Sequence, residues 1–227
     1  MAAVKAGRRT REDRWPELLA FDRSCCPEGL LCGTDEVGRG PLAGPVVAAA
    51  VVLRPDACIP GLDDSKVLTP AERAALYPLI CCQSLAVGIG WVDAGTIDVL
   101  NIHHASIEAM RRAVSRIQVE PSLLLIDGRF RLRDYSGHQR CLIDADATSA
   151  AVAAAAIVAK VMRDRYMVAL HQRHPEYGFD SHKGYSARRQ IEAMKLHGPC
   201  FHHRKSFTPN ALRPPDPTFE FVVAEEE

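Results

Sequence analysis

Four carboxylates stand where an apolar run of the chain stops. Asp35 and Glu36 close the run that begins at Leu30. Asp127 closes Leu123 to Ile126 and is followed by Gly128. Asp146 lies just past Gln139 to Ile143, before a helix start. Neighbours on a regular strand point to opposite faces, so Asp35 and Glu36 share a site only where the strand ends and the second residue curls back. Singly, each acid reads as a helix cap or a solvated strand terminus. Gathered at neighbouring ends of one sheet, the four repel one another and require a divalent cation. Carboxylate oxygens select a hard ion, Mg²⁺ or Mn²⁺. Gly38-Arg39-Gly40 follows the first pair. Its spacing to Gly44 misses the dinucleotide fingerprint by one residue and leads into a strand, and there is no Gly-Lys-Ser/Thr. It is either a turn needing positive φ or a place where backbone N–H groups approach a sugar-phosphate chain. His197, Cys200, His202 and His203 fit no common structural zinc spacing. They read as exposed residues, partly in contact with phosphate.

The elements that must position these groups are legible in outline. Strands are expected at Leu30–Glu36, Val46–Leu53, Leu85–Trp91, Leu123–Asp127 and Gln139–Ile143. Thr69, Pro70 and Glu72 form a capping box that opens a helix to about Ile80. A second helix is expected over Asn101–Ile117 and a long alanine-rich one over Ser149–His171. Ser186 is expected to cap a last helix, Ala187–His197, stopped by Gly198 and Pro199. Strands interleaved with helices predict an α/β domain on a mixed sheet.

The chain has 227 residues, against ~150 for a typical domain. Residues 1–28 are polar and basic and read as a loose arm with one helical turn near Trp15–Phe21. Residues 29–209 read as the catalytic domain, and 210–227 as a Pro-rich, then acidic, mobile tail. Lys plus Arg is 28 and Asp plus Glu is 28, which argues against a purely electrostatic DNA binder. The charge is segregated: residues 181–205 hold six Lys/Arg and four His against Glu192 alone. That predicts a positive surface for an anionic partner. No apolar run reaches the ~18 residues of a membrane span, and the N-terminus lacks the apolar core of a secretory signal. A cytoplasmic protein is therefore expected. The eight cysteines include two adjacent pairs and no C-x-x-C, and read as reduced, mostly buried small hydrophobes.

The segment Gly33-Thr-Asp35-Glu36-Val-Gly38-Arg39-Gly40-Pro-Leu-Ala-Gly44-Pro-Val-Val resembles the signature of type 2 ribonuclease H, the ribonuclease HII of bacteria. So do Asp64-Ser65-Lys66, Leu100-Asn101-Ile102, Ile126-Asp127-Gly128 and Asp146-Ala147-Thr148-Ser149. Ala153 to Val161, His182-Lys183-Gly184-Tyr185 and His203-Arg204-Lys205-Ser206-Phe207 continue the series in family order, over about residues 30–209. The resemblance implies an RNase H-like mixed five-stranded sheet with flanking helices and a helical C-terminal cap. It implies a monomeric endonuclease that cuts the RNA strand of RNA–DNA hybrids. It also implies incision 5′ of single ribonucleotides in duplex DNA, as in ribonucleotide excision repair. The family's metal-binding acids fall on Asp35, Glu36, Asp127 and Asp146, and its 2′-OH-reading loop on Gly38, Arg39 and Gly40. Its junction-sensing tyrosine falls on Tyr185, while Ser65, Lys66, Lys160 and Lys183 match positions near the substrate backbone. Where the family usually has Lys-Gly-Asp, this chain has Asp144-Ala145-Asp146, one more acid beside the site.

Two Mg²⁺ or Mn²⁺ ions ~4 Å apart would activate water and stabilise the leaving oxygen, giving 3′-hydroxyl and 5′-phosphate ends. The rival readings are a metal-dependent exonuclease of the same fold group, and a non-catalytic hybrid-binding protein whose site Asp144 has spoiled.

Overall fold

Strand β2 (Val46–Leu53) has no charged residue and is buried along nearly its whole length, which makes it an interior strand. Its side chains alternate between two cores. Ala49 and Val51 face one, and Ala48, Ala50 and Val52 the other, as a period of two requires. β1 (Leu31–Val37) and β3 (Ser84–Val92) flank it antiparallel. β4 (Leu123–Asp127) runs parallel to β1, and β5 (Gln139–Leu142) parallel to β4. The order β3-β2-β1-β4-β5 is the expected mixed sheet. The computed structural model describes residues 13–207. The expected tail and the first twelve residues of the expected arm lie outside the described residues.

Helix α1 (Trp15–Cys25), α2 (Pro70–Cys82) and α4 (Ala150–Arg173) cover one face of the sheet. Helix α3 (Ala94–Val114) covers the other. The first ten residues of α4 are Ala, Val and Ile, and all are buried. Small side chains let this helix lie directly on β1, and Gly33 completes the approach. A Cβ there would stand 2.3 Å from the Ala151 carbonyl carbon. Short α5 (Phe179–His182) and α6 (Arg188–His197) form the C-terminal part around Met167, Leu170, Tyr177 and Phe179.

The structure corrects four expectations. The segment read as a loose arm is, from Trp15 to Cys25, a packed helix. Trp15 and Leu18 are buried, the latter worth about 2 kcal/mol. Asp22 Oδ2 accepts from the Ala151 N–H at 2.8 Å, tying α1 to the start of α4. Helix α3 starts at Ala94 rather than Asn101, capped by Asp93, and kinks at Asn101 (φ 64°). Asn101 Oδ1 then accepts from the N–H groups of His103 and His104, so the residue expected to open the helix caps its second segment. Ser186 caps nothing: extended Ala187 precedes α6 and makes no side-chain cap bond. The cysteines are free as expected, but only Cys32 is buried, and Cys58, Cys81 and Cys82 are exposed. The capping box of Thr69 and Glu72 forms as the spacing predicts.

Candidate active site

Parallel strands deliver their C-terminal ends to one end of a sheet. β1 brings Asp35 and Glu36, β4 brings Asp127, and the short 3-10 turn that follows β5 (Ala145–Ala147) brings Asp146. Asp127 Oδ1 accepts from the Ala145 N–H at 2.8 Å, fastening the turn that carries Asp146 to the end of β4. Glu36 N–H donates to Asp35 Oδ1 at 2.6 Å. Asp35 is 7% exposed and Asp146 1%. Burial, then the charges of Glu36, Asp127 and Asp146, pushes the Asp35 carboxyl well above the usual range. Burial also raises Glu36, with Arg39 partly offsetting it, and raises Asp127, with the Ala145 N–H partly offsetting it.

The chain's own cations sit on these acids. Lys66 Nζ donates to Asp146 Oδ2 at 2.8 Å, which holds the Lys66 ammonium above its ordinary value. Arg39 reaches Glu36 Oε1 at 3.1 Å. Asp64 adds a fifth carboxyl, raised by burial and by Asp146 beside it. Among the described residues no three acid, His or Cys side chains are already drawn around one point for an ion. The donors nevertheless suit a hard divalent cation. All are carboxylate oxygens, Asp146 Oδ1 is buried without a partner, and the charge of Asp146 helps raise the carboxyls of Asp35 and Asp127.

The Gly38-Arg39-Gly40 loop is held from behind by a buried guanidinium. Arg204 is 2% exposed. It donates to the carbonyls of Gly38 (2.6 Å), Arg39 (2.8 Å) and Gly44 (2.8 and 3.0 Å). A trans peptide puts C=O and N–H on opposite sides. Drawing the Gly38 and Arg39 carbonyls inward therefore turns the N–H groups of Arg39 and Gly40 outward. Gly38 has φ 92°, and a Cβ on it would meet Arg163. Arg163, fully buried in α4, donates to the carbonyls of Pro45, Ala43 and Lys183, and lies 5.6 Å from the Tyr185 ring. Burial lowers the pKa of both guanidinium groups, Arg204 to about 9. Tyr185 is 40% exposed, and its ring edge lies 3.9 Å from where a Cβ on Gly40 would be.

One cleft of about 470 Å³ brings together Asp35, Glu36, Asp127, Gly38, Arg39, Gly40, Ser65, Lys66, Lys160 and Tyr185. Asp146 lies behind it, reached through Lys66. Lys160 is paired to Asp164 at 2.7 Å, and burial lowers its ammonium. Lys183 lines an adjoining groove and turns its ammonium to the Asp180 carbonyl. Asp144 is exposed with φ 54°, a left-handed position that Asp tolerates.

Two expectations change here. The segment Lys183–Lys205 is not uniformly a phosphate surface, since Arg204 is buried and Arg188 is paired to Glu192. Nor is His203 exposed: it is 4% accessible, packs on Tyr177 and Phe179, and its Nδ1 accepts from the Cys200 N–H. Sequence reasoning assigned no role to Arg163 or Arg204. Arg163 stands among Lys160, Asp164 and Arg165 just past the alanine-rich stretch, and nothing local singles it out.

The family model described as Ribonuclease HII matches residues 32–209. Ribonuclease HII of Burkholderia vietnamiensis is 46% identical over 209 residues, 92% of this chain and 96% of that protein. That of Geobacillus kaustophilus is 47% identical over 207 residues, 90% of this chain and 79% of that protein. Among solved structures, ribonuclease H2 of Pyrococcus horikoshii superposes with TM-score 0.66 at 26% identity, over 78% of this chain and 93% of that one. Bst-RNase HIII in complex with Mn²⁺ shares the fold, with TM-score 0.59 at 20% identity, over 74% of this chain and 63% of that one. The mixed five-stranded sheet with flanking helices is thus the RNase H-like fold.

Proposed function

The chain belongs to the ribonuclease HII family, nucleases that hydrolyse the RNA strand of RNA–DNA hybrids, and on that premise we propose that it incises duplex DNA on the 5′ side of a single embedded ribonucleotide by two-metal hydrolysis. Asp35, Glu36, Asp127 and Asp146 are the residues that would hold the ions, Mn²⁺ or Mg²⁺. Bound divalent ions supply activation of water and neutralisation of the charge that develops on the phosphate. Among the solved structures that share the fold, Bst-RNase HIII is in complex with Mn²⁺.

The rest of the work falls to the chain. The outward N–H groups of Arg39 and Gly40 meet a ribose 2′-hydroxyl, the one group that tells RNA from DNA. Tyr185, beside Gly40, lies on the next sugar, where an apolar deoxyribose face packs better than a hydroxylated one. The loop alone accepts a ribose followed by either sugar; the ring adds the second condition. Lys66 and Ser65, across the cleft, contact the phosphate backbone.

The observation that carries this reading is the Arg204-held loop, its donors turned outward beside an exposed tyrosine ring and within one cleft with three of the carboxylates. A closed circular DNA duplex with one ribonucleotide tests it. Nicked circles are expected in Mg²⁺ or Mn²⁺. Intact circles alongside degradation of linear duplex from its ends would instead indicate an exonuclease.

A further inference from the structure

Because β4 and β5 are parallel, the chain between them must return from the active-site end of the sheet to the other. Residues 128–138 make that return without a helix. Arg129, Phe130, Arg131 and Arg133 are exposed along it, while Leu132 is 1% exposed and packs in the core under α3. Gln139 clamps the loop from below: its side chain accepts from the Leu132 N–H (2.8 Å) and donates to the carbonyls of Leu132 (2.9 Å) and Tyr135 (3.3 Å). The Phe130 ring stands edge-on to His103 at 4.3 Å. The loop is fixed with its arginines outward.

Arginines that hold this fold do so through acceptors. Arg73, Arg112, Arg163 and Arg204 all bond backbone carbonyls. Arg129, Arg131 and Arg133 make no hydrogen bond or ion pair among the described residues. The acids nearby are Glu108, taken by Arg111 and Arg112, and exposed Asp134. Three guanidinium groups on a clamped loop are an unused anion-binding surface. It begins two residues after Asp127, so the anion that first meets it is the one in the cleft.

We propose that residues 129–133 form a phosphate-binding track that extends the footprint of the substrate duplex beyond the cleavage point; this rests on the nucleic-acid reading above. At ~3.3 Å per residue Arg133 lies at most about 20 Å along the chain from Asp127. Strand phosphates rise ~3.4 Å each, so the track ends within about six nucleotides of the cleavage point.

The test is fluorescence anisotropy in a chelator, over a salt series, with a hybrid long enough to cover cleft and loop and another trimmed to the cleft. Replacing Arg129, Arg131 and Arg133 by Gln should weaken binding of the long hybrid about tenfold or more and reduce its log–log salt slope by about 2 to 3. The short hybrid should bind wild type and variant alike. Should the triple variant melt early, Arg131→Gln alone is expected to lower the slope by about 1. Unchanged slope on the long hybrid, or equal loss on both, would overturn the track, and an acidic protein partner would give the former. If wild type binds neither hybrid, the nucleic-acid reading itself falls, and the track with it.

Discussion

At Asp127 charge and place are in conflict. It is the last residue of β4, its carboxyl is raised by burial and by Asp146, and its Oδ1 holds the Ala145 N–H. Asp127→Asn keeps that acceptor and removes the charge. Hybrid cleavage should fall by more than about a hundredfold, since even outer-shell changes at metal sites cost 10- to 100-fold. In a chelator the melting temperature should hold or rise, because repulsion is relieved. Gel assays and thermal melts check both, and near-wild-type cleavage at saturating Mg²⁺ would remove Asp127 from the site. Tyr185 makes the second residue-scale prediction. Aromatic stacking on nucleic acid is worth about 1–3 kcal/mol, or roughly five- to a hundredfold. Tyr185→Ala should cost that much at a lone ribonucleotide and less on continuous hybrid, with stability nearly unchanged, whereas Tyr185→Phe should keep most of both activities. Equal loss on both substrates with a melting temperature several degrees lower would make the ring structural.

At the scale of elements, two buried charges join parts far apart in sequence. Asp22 on α1 meets the first turn of α4, and burial raises its carboxyl to about 6 despite bonds from Ser149, Ala151 and Ala150. The folded state therefore binds a proton more tightly than the unfolded one between about pH 4 and 6. Its contribution to stability falls as pH rises through that window, and the cost is full at pH 7. Asp22→Asn should melt higher than wild type at pH 7, with the gap closing toward pH 4. Parallel melting curves at all pH values would contradict this. Arg204 reaches Gly38 from 166 positions away. One lysine ammonium cannot span the carbonyls that a guanidinium fork holds, and each buried carbonyl left unpaired costs about 1–3 kcal/mol. Arg204→Lys should lower the melting temperature and, at a temperature where the variant is folded, narrow the preference for ribose over deoxyribose. A stable variant with full ribose preference would show that the loop is oriented by other means.

Over the whole molecule, what was legible in the sequence is what local chemistry determines. Apolar runs ending in Asp35, Asp127 and the turn at Asp146 mark strand ends, because such a run must be interior and an acid closing it is buried only where a site is built around it. Thr69, Pro70 and Glu72 are one turn and report only on each other. The dependence on distant contacts was not legible. Helix α1 follows a charge-rich stretch, and its apolar residues find a core only once α2 and α4 are in place. Arg204 reads as one more base of a basic stretch until the fold puts the Gly38 carbonyl beside it. His203 looks like a surface histidine until Tyr177 and Phe179 close over it.

The central claim is that this cleft cuts a phosphodiester beside one ribose. A DNA duplex holding a single ribonucleotide, end-labelled on that strand and incubated with Mg²⁺ or Mn²⁺, tests it most directly when the cut is mapped to the nucleotide and its ends are identified. The expected product is one incision on the 5′ side of the ribonucleotide, with a 3′-hydroxyl on the upstream fragment and a 5′-phosphate on the ribonucleotide. No incision while continuous hybrid is cut, or incision on the 3′ side, would contradict the account.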